Sequence, residues 1–114
     1  MTNTPELYWT GVSGKKYGYW IKKPPYSCGE GQNGNYIITK IVNNFWIPVY
    51  IGQGDLNKRV NDETHYKCAI GKGATHVHLH LNSEEADRLS EEQDLLAGHT
   101  DAYAPNGCNE KEGG

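Results

Sequence analysis

The pattern of apolar and polar positions predicts two β-hairpins in the first half of the chain. "LYWTGV" and "KKYGYWIKK" are aromatic-rich runs on either side of Ser13 and Gly14, a pair typical of tight turns. The segment 24–34, "PPYSCGEGQNG", is dense in proline and glycine and predicts a loop. "NYIITKIV" and "FWIPVYIG" then flank Asn43 and Asn44, which tolerate the left-handed backbone of a hairpin turn.

The register of the second hairpin depends on the length of its turn. A two-residue turn would mix aromatic and aliphatic side chains on both faces of the hairpin. A three-residue turn, 42–44, sets Tyr36 opposite Tyr50 and aligns the aliphatic residues of both strands on the other face. We therefore predict the three-residue turn, with Lys40 and Trp46 on the face of the two tyrosines.

Pro48 constrains where the second of these strands can lie. Proline cannot donate a ladder hydrogen bond, so the strand is predicted at a sheet edge or at a bulge. The other strand, with Tyr36, is then free to pair with "GATHVHLHLN". This segment places three histidines on one face of a strand: His76, His78 and His80. If its aliphatic residues join the aliphatic face, the histidines share the face of Tyr36 and Tyr50. Zinc coordination by the three rings is the less favoured alternative.

Two helices are predicted after the second hairpin. The first lies in "GDLNKRVNDETH" and is capped by Asp55. The second begins at Asn82, where Asn82 and Glu85 match a capping box, and ends near Gly98. Its apolar stripe on a helical projection is Ala86, Leu89, Leu96 and Ala97, with Leu95 to one side. The residues predicted to face solvent are Glu84, Asp87, Glu91 and Asp94. Glu92 falls beside the stripe, where a carboxylate needs an arginine, a metal ion or a path to water.

Charge is distributed unevenly along the 114 residues. Residues 1–80 carry nine Lys or Arg against five Asp or Glu, whereas 81–114 carry two against nine, within a net charge of −3. A basic front is compatible with an anionic polymer as partner, and ordinary surface charge is the simpler alternative.

Length and composition restrict the class of protein. A chain of 114 residues is expected to form one domain. Its apolar runs are too short to span a membrane, and "MTNTPELYW" lacks the features of a signal peptide, so a cytoplasmic protein without membrane association is expected. Cys28, Cys68 and Cys108 form no C-x-x-C pair and are predicted to be free thiols; Cys68 and Cys108 joining the histidines around zinc is the alternative.

The residues that could take part in catalysis or binding follow one another in a recognisable order along the chain. They are Gly34-Asn35-Tyr36, Tyr50-Ile51-Gly52, Arg59, His65, Glu92 and asparagines near the end of the chain. This order resembles the GIY-YIG nuclease superfamily, in which two tyrosine triplets lie on adjacent strands. Asn35 departs from the family's first triplet, whose middle residue is usually apolar.

The resemblance implies a fold and an activity. The fold is α+β, a small three-stranded antiparallel sheet with flanking helices over residues 34–109. Residues 1–33 would form an N-terminal hairpin and loop extension of this single domain, and 110–114 a disordered tail. The implied activity is hydrolysis of DNA phosphodiester bonds with Mg²⁺ or Mn²⁺ as cofactor.

Roles follow residue by residue from the same resemblance. Tyr36 and Tyr50 match the motif tyrosines, one of which takes the proton of the attacking water. Arg59 matches the arginine that neutralises the phosphate, and His65 a further polar contact. Glu92 matches the metal-binding carboxylate.

The remaining site residues are assigned with less direct matches. Asn109 matches the closing asparagine, with Asn106 as its competitor. Gly52 and Lys40 join Arg59 in substrate binding. Lys40 shares the face of Tyr36 by strand alternation, and we hypothesise that its charge favours the phenolate form.

Two other functions remain open at this stage. One is a catalytically inactive domain of the same fold that binds nucleic acid or protein. The other is a zinc-binding structural protein built on the histidine strand. A nuclease with no separate recognition domain would gain its specificity from loops, a homodimer or a protein partner.

Overall fold

Five strands and three α-helices form the part of the chain that the structure describes. The structure is a computed structural model, and it describes residues 4–23, 31–60 and 63–110. The strands are β1 (Leu7–Thr10), β2 (Lys16–Lys22), β3 (Asn33–Val42), β4 (Phe45–Asp55) and β5 (His76–Leu81). The helices are α1 (Leu56–Val60), α2 (Glu63–Gly71) and α3 (Glu85–Gly98), followed by a 3₁₀ turn at Thr100–Ala102. Within the described ranges, none of these helices is long and apolar enough to cross a bilayer.

All five strands belong to one antiparallel sheet with the order β1-β2-β5-β3-β4. The α+β class, the N-terminal hairpin and the pairing of β5 with β3 are as the sequence predicts. The predicted three-stranded sheet is wrong, because β2 pairs with β5 from Trp20↔Leu79 to Lys22↔Val77. The hairpin thereby covers an edge of β5 that would otherwise be open, and it is part of the sheet.

The turn between β3 and β4 has two residues, so the predicted three-residue turn is wrong. Asn43 and Asn44 have φ values of 52° and 68°, and Val42 lies opposite Phe45. Two positive φ values in succession match a type I′ turn, whose twist suits a hairpin.

A β-bulge then shifts the register of β4 by one residue. Thr39 pairs with Pro48 and Ile38 with Tyr50, so Val49 is the extra residue. The expectation for Pro48 is confirmed in both respects, since β4 is an edge strand and the bulge adjoins this proline. Beyond the bulge Tyr36 lies opposite Gly52, and not opposite Tyr50 as predicted.

The sheet is covered on both faces, by two separate apolar cores. On one face Tyr36, Ile38 and Leu79 pack with Leu56 of α1 and Ala69 of α2. On the other face, Ile37 and Ile51 pack with Trp9 and Tyr19 of the hairpin and with Leu95 of α3. Both cores draw on β3, so that strand is buried over most of its length.

The histidines lie on the α3 face, opposite to the predicted face. His78 is paired with Ile37, and paired residues point to the same side of a sheet. Trp46 lies there too, with its ring edge-on to His76 and His78 at centroid distances of 5.0 and 4.5 Å. The prediction failed because Val77 and Leu79 join the core of Tyr36 and not the aliphatic face of Ile37.

Helix α3 packs against the sheet through a different face from the one that its apolar stripe predicts. It begins at Glu85, and Asn82 accepts a hydrogen bond from the Glu84 N–H at 3.0 Å in place of the predicted capping box. Its buried residues are Arg88, Glu91 and Leu95. Of the predicted stripe, Ala86, Leu89 and Ala97 are exposed and Leu96 is half-buried. Two of the four acids assigned to solvent, Glu91 and Asp94, are in contact with the hairpin.

Those two carboxylates explain the orientation of α3. Glu91 accepts a hydrogen bond from the Tyr19 hydroxyl, and its other oxygen is 3.1 Å from His80 Nε2. Asp94 accepts hydrogen bonds from Ser13 N–H at 2.9 Å, Ser13 Oγ at 2.7 Å and the Tyr17 hydroxyl at 2.8 Å. The hydrogen bonds from Ser13 lower the pKa of Asp94 below its usual range. Acidic side chains with such partners can face the sheet without a bare buried charge.

The polar middle residue of the first tyrosine triplet has a structural role. Asn35 is fully buried, and its Nδ2 donates to the Arg88 carbonyl at 3.0 Å, joining β3 to α3. Arg88 Nε in turn donates to Gln53 Oε1 at 3.1 Å. An apolar residue at position 35 would leave this helix carbonyl without that donor.

His78 is a neutral core histidine. Trp9 Nε1 donates to its Nδ1 at 2.9 Å, and its Nε2 lies 3.4 Å from Thr39 Oγ1. Burial, with a smaller contribution from His76, lowers the pKa of His78 to about 4. A ring that accepts from an indole N–H must keep its Nδ1 unprotonated.

The free energy of unfolding is therefore expected to fall in mild acid. The unfolded chain takes up a proton on His78 near pH 6.5 and the folded chain near pH 4, so stability is full above 6.5 and is lost below it. Between about pH 7 and about pH 5, this group should remove about 2 kcal/mol. Urea unfolding at both pH values, compared with His78→Gln, measures the difference. An equal pH slope in the variant would contradict the assignment.

Cys68 and Cys108 form a disulfide, with a Cα–Cα distance of 6.1 Å. The prediction of free thiols is wrong for these two residues, because folding brings the end of α2 against the C-terminal segment. Cys28 and the predicted tail beyond 110 lie outside the described residues, as does most of the 24–34 loop.

Candidate functional site

Three aromatic side chains from the predicted site are stacked in series. The Tyr36 and Tyr50 rings are stacked with centroids 5.9 Å apart, and Tyr50 is stacked on His65 at 4.3 Å. The Tyr50 hydroxyl is 3.4 Å from His65 Nε2. The bulge in β4 is what brings Tyr50 to the face of Tyr36, and α2 supplies His65 from above. The structure therefore brings these three residues together.

Tyr36 is the buried member of the stack, with 1% of its surface exposed. Burial raises the pKa of Tyr36 far above its usual range, and the neighbouring Tyr50 hydroxyl, which is hydrogen-bonded to it, raises it further. The charge of Arg59 acts in the opposite direction and that of Glu92 in the same direction. Both charged residues thus lie within electrostatic range of Tyr36.

A cleft of about 820 Å³ opens beside Tyr50. Its walls come from β4, α2, the second half of α3 and the C-terminal segment, and include Tyr50, His65, Glu92, Leu96, Tyr103 and Asn109. Glu92 is half-buried and faces this cleft, whereas its neighbour Glu91 faces the hairpin. Two adjacent acids of α3 therefore point to different surroundings: Glu92 to the cleft and Glu91 to the hairpin.

Arg59 lies on α1, close to the site but outside the walls of the cleft. Its side chain passes over Gly54, where a Cβ atom would lie 3.0 Å from the Arg59 Nε. Gly54 has a φ of +133°, which side chains rarely adopt. Arg59 itself is exposed, so its guanidinium can meet a phosphate in solvent.

Gly52 lies directly opposite Tyr36 on β4, and Lys40 lies four residues further along β3. A Cβ at Gly52 would lie 2.5 Å from the Tyr36 hydroxyl, so only glycine leaves room for the phenol at this position. Lys40 shares the face of Tyr36, and its side chain runs toward Gly73. The positive charge that opposes the rise in the pKa of Tyr36 comes from Arg59, and not from Lys40 as hypothesised.

Asn109 lines the cleft, but its amide group is already engaged. Its Oδ1 accepts from Ile51 N–H at 2.8 Å and its Nδ2 donates to the Ile51 carbonyl at 2.9 Å. The side chain therefore holds the C-terminal segment against β4, next to Tyr50. Asn106 is exposed in the preceding turn.

Sequence reasoning missed part of the cleft wall. Tyr103 and the Cys68–Cys108 disulfide lie there with Tyr50 and His65. Tyr103 stands in a turn-rich segment without periodicity, and two cysteines 40 residues apart give no pairing signal by themselves. These residues could be found only from the fold.

A metal ion at this site would rest on few protein ligands. Among the described residues, no group of three or more His, Cys, Asp or Glu side chains is placed to hold one. The three histidines of β5 therefore do not form a zinc site. His78 accepts a hydrogen bond from Trp9, and His80 contacts Glu91. Mg²⁺ commonly keeps several waters and binds one or two carboxylates together with substrate phosphate, so the single carboxylate of Glu92 fits Mg²⁺ and does not fit zinc.

Comparison of the chain with protein-family models, with curated proteins and with solved structures finds no match. The residues and their geometry are therefore the basis for assigning a function.

Proposed function

We propose that this protein is an endonuclease of the GIY-YIG type that hydrolyses DNA phosphodiester bonds with a divalent metal ion. The observation that carries the proposal is the stack of Tyr36, Tyr50 and His65 beside a cleft that Glu92 also lines. Residues from β3, β4, α2 and α3 converge there, in a set that the family resemblance assigns to one reaction.

Tyr50 is the residue to which we assign the proton of the attacking water. Tyr36 is buried and its raised pKa keeps it protonated, so it serves as hydrogen-bond donor to Tyr50. Tyr50 is half-buried and lines the cleft, and His65 lies within 3.4 Å of its hydroxyl. A phenol between a donor and an imidazole can pass a proton onward to the ring.

Arg59 binds the phosphate in this mechanism. Attack on a phosphodiester accumulates negative charge on the non-bridging oxygens, and a permanently charged guanidinium stabilises it. The position of Arg59 over Gly54 leaves its guanidinium exposed and close enough to act on Tyr36.

Glu92 would hold the metal ion, with water and the substrate phosphate as its other ligands. Bound there, Mg²⁺ or Mn²⁺ would supply charge stabilisation for the phosphate and the leaving group. The protein's part is to keep a half-buried carboxylate at the cleft, on a helix fixed to the sheet by the neighbouring Glu91.

The test is cleavage of supercoiled plasmid DNA by purified protein, with Mg²⁺ and with EDTA. The wild type should nick or linearise the plasmid only with the metal. Arg59→Ala should lower the rate by about 100-fold, the effect of removing one group that stabilises transition-state charge. Lys58→Ala, at an exposed neighbour on α1, is the matched control and should retain the wild-type rate.

Failure of the wild type to cleave with either Mg²⁺ or Mn²⁺, while it still binds DNA, would instead support an inactive binding domain of the same fold. Linear product formed at the same rate as nicked product would indicate a homodimer, because one chain carries one such site.

A further inference from the structure

A second cavity lies at the other end of the sheet, where β2 and β5 separate. Their pairing runs from Lys22↔Val77 to Trp20↔Leu79, although β2 begins at Lys16 and β5 continues to Leu81. The cavity of about 460 Å³ occupies the gap. This volume lies in the range of small-molecule sites.

Aromatic rings form the outer wall of this cavity. Tyr8 is 56% exposed, and its ring lies beside Pro5, which covers Gly18. Trp20 is half-buried and lines it from the same face of the sheet as Tyr8, because Tyr8 pairs with Gly18, two residues before Trp20. Flat rings in a groove are the platform on which proteins stack bases of single-stranded nucleic acid.

Positive charge lies at the rim of the cavity. Lys15 and Lys16 line it and are exposed, and they belong to the basic N-terminal part of the chain. Lysines beside an aromatic wall suit a phosphate joined to a stacked base.

The inner wall offers hydrogen-bonding groups. His80 and Asn82 line it, and both side chains are half-buried there. On the α3 side Asp87 is an exposed carboxylate, whereas the two oxygens of Glu91 already contact Tyr19 and His80. Carboxylates repel phosphate but accept hydrogen bonds from the amino groups of bases, so the base edge belongs at this wall and the phosphate at the lysines.

We propose that this cavity holds one unpaired nucleotide of the DNA substrate, so that the enzyme acts on single-stranded DNA or on DNA with an unpaired segment, such as the segments that negative supercoiling opens in plasmid DNA. The inference rests on the proposed function for the identity of the polymer as DNA. A base within a duplex is stacked and paired, and therefore cannot offer its face to Tyr8 and Trp20.

The experiment is fluorescence anisotropy in EDTA, in which the proposed cleavage cannot proceed. The probes are a labelled single strand of about 12 nucleotides and the same sequence as a blunt duplex. The single strand should bind about tenfold more tightly than the duplex. Tyr8→Leu should weaken single-strand binding about tenfold, as loss of one stacked base requires. Phe45→Leu, at a 70% exposed aromatic in the turn between β3 and β4, is the matched control and should bind like the wild type.

Two further variants make the test independent of folding at one position. Trp20→Leu should weaken single-strand binding as Tyr8→Leu does, and Lys16→Gln should lower the slope of log affinity against log salt by about one. Equal binding of duplex and single strand, or a Tyr8→Leu variant indistinguishable from Phe45→Leu, overturns the inference.

The binding result is separate from the result for catalysis. Single-strand binding through Tyr8 without cleavage in either Mg²⁺ or Mn²⁺ removes the nuclease proposal and supports the cavity. Cleavage in Mg²⁺ with no preference for single strands supports the nuclease and removes the cavity.

Discussion

Glu92→Gln is expected to lower the rate of plasmid cleavage by about 1,000-fold, the largest effect of any single substitution proposed for this protein. Glutamine keeps the shape of the side chain and removes the charge that a hard cation requires. Because Glu92 is half-buried at the cleft, the exchange should leave the fold unchanged. Single-turnover rates at saturating Mg²⁺ measure the chemical step directly.

The matched control for this substitution is Glu85→Gln, at an exposed acid in the first turn of the same helix. It changes the net charge equally and should cleave at the wild-type rate. Cleavage by Glu92→Gln within a few-fold of Glu85→Gln would falsify the assignment of Glu92 as the metal ligand.

Loss of the Cys68–Cys108 disulfide is expected to lower the free energy of unfolding by about 4 kcal/mol. The bond closes a loop with a sequence separation of 40, and the chain-entropy model gives about this value for such a loop. Urea unfolding with and without a reductant measures the difference. A variant with Cys68→Ser and Cys108→Ser should match the reduced wild type, and reductant should not affect it further.

This disulfide also bears on the site, because it lies in the cleft wall. His65 is on α2, the helix that carries Cys68, and Asn109 follows Cys108. Reduction should therefore slow cleavage more in the wild type than in the serine variant. If reductant changes neither the free energy of unfolding nor the cleavage rate of the wild type, the disulfide contributes to neither.

The parts of the fold that could be predicted are those set by local rules. The alternation of side chains predicted β3, β4 and β5, Asn43 and Asn44 predicted a turn, and Pro48 predicted a sheet edge or a bulge. Asp55 was predicted as a helix cap, and its Oδ1 accepts from Lys58 N–H at 3.3 Å. In each case the signal is carried by residues close together in sequence.

The incorrect predictions concern features that depend on residues far apart in sequence. The register of β4 depends on the bulge at Val49, which one residue's preference does not reveal. The orientation of α3 depends on Tyr19, His80 and Ser13, more than 10 residues away in sequence, which hold Glu91 and Asp94. A helical projection takes only the residues of the helix into account and could not anticipate these partners.

The candidate site shows the same division. Tyr36, Tyr50, His65 and Glu92 could be selected from their order along the chain; the last three line one cleft, and Tyr36 is stacked on Tyr50. The burial of Tyr36 could not be foreseen, and it changes which tyrosine is suited to accept a proton.

The C-terminal segment limits how copies of this protein can associate. The Asn109 amide pairs with the Ile51 backbone, and Cys108 N–H donates to the Val49 carbonyl at 2.7 Å. An amide side chain thus occupies hydrogen-bonding positions that a sixth strand would use along β4. Another chain's strand therefore cannot pair with β4 at Val49 and Ile51, and a dimer formed for double-strand cutting would need contacts outside this stretch of the edge.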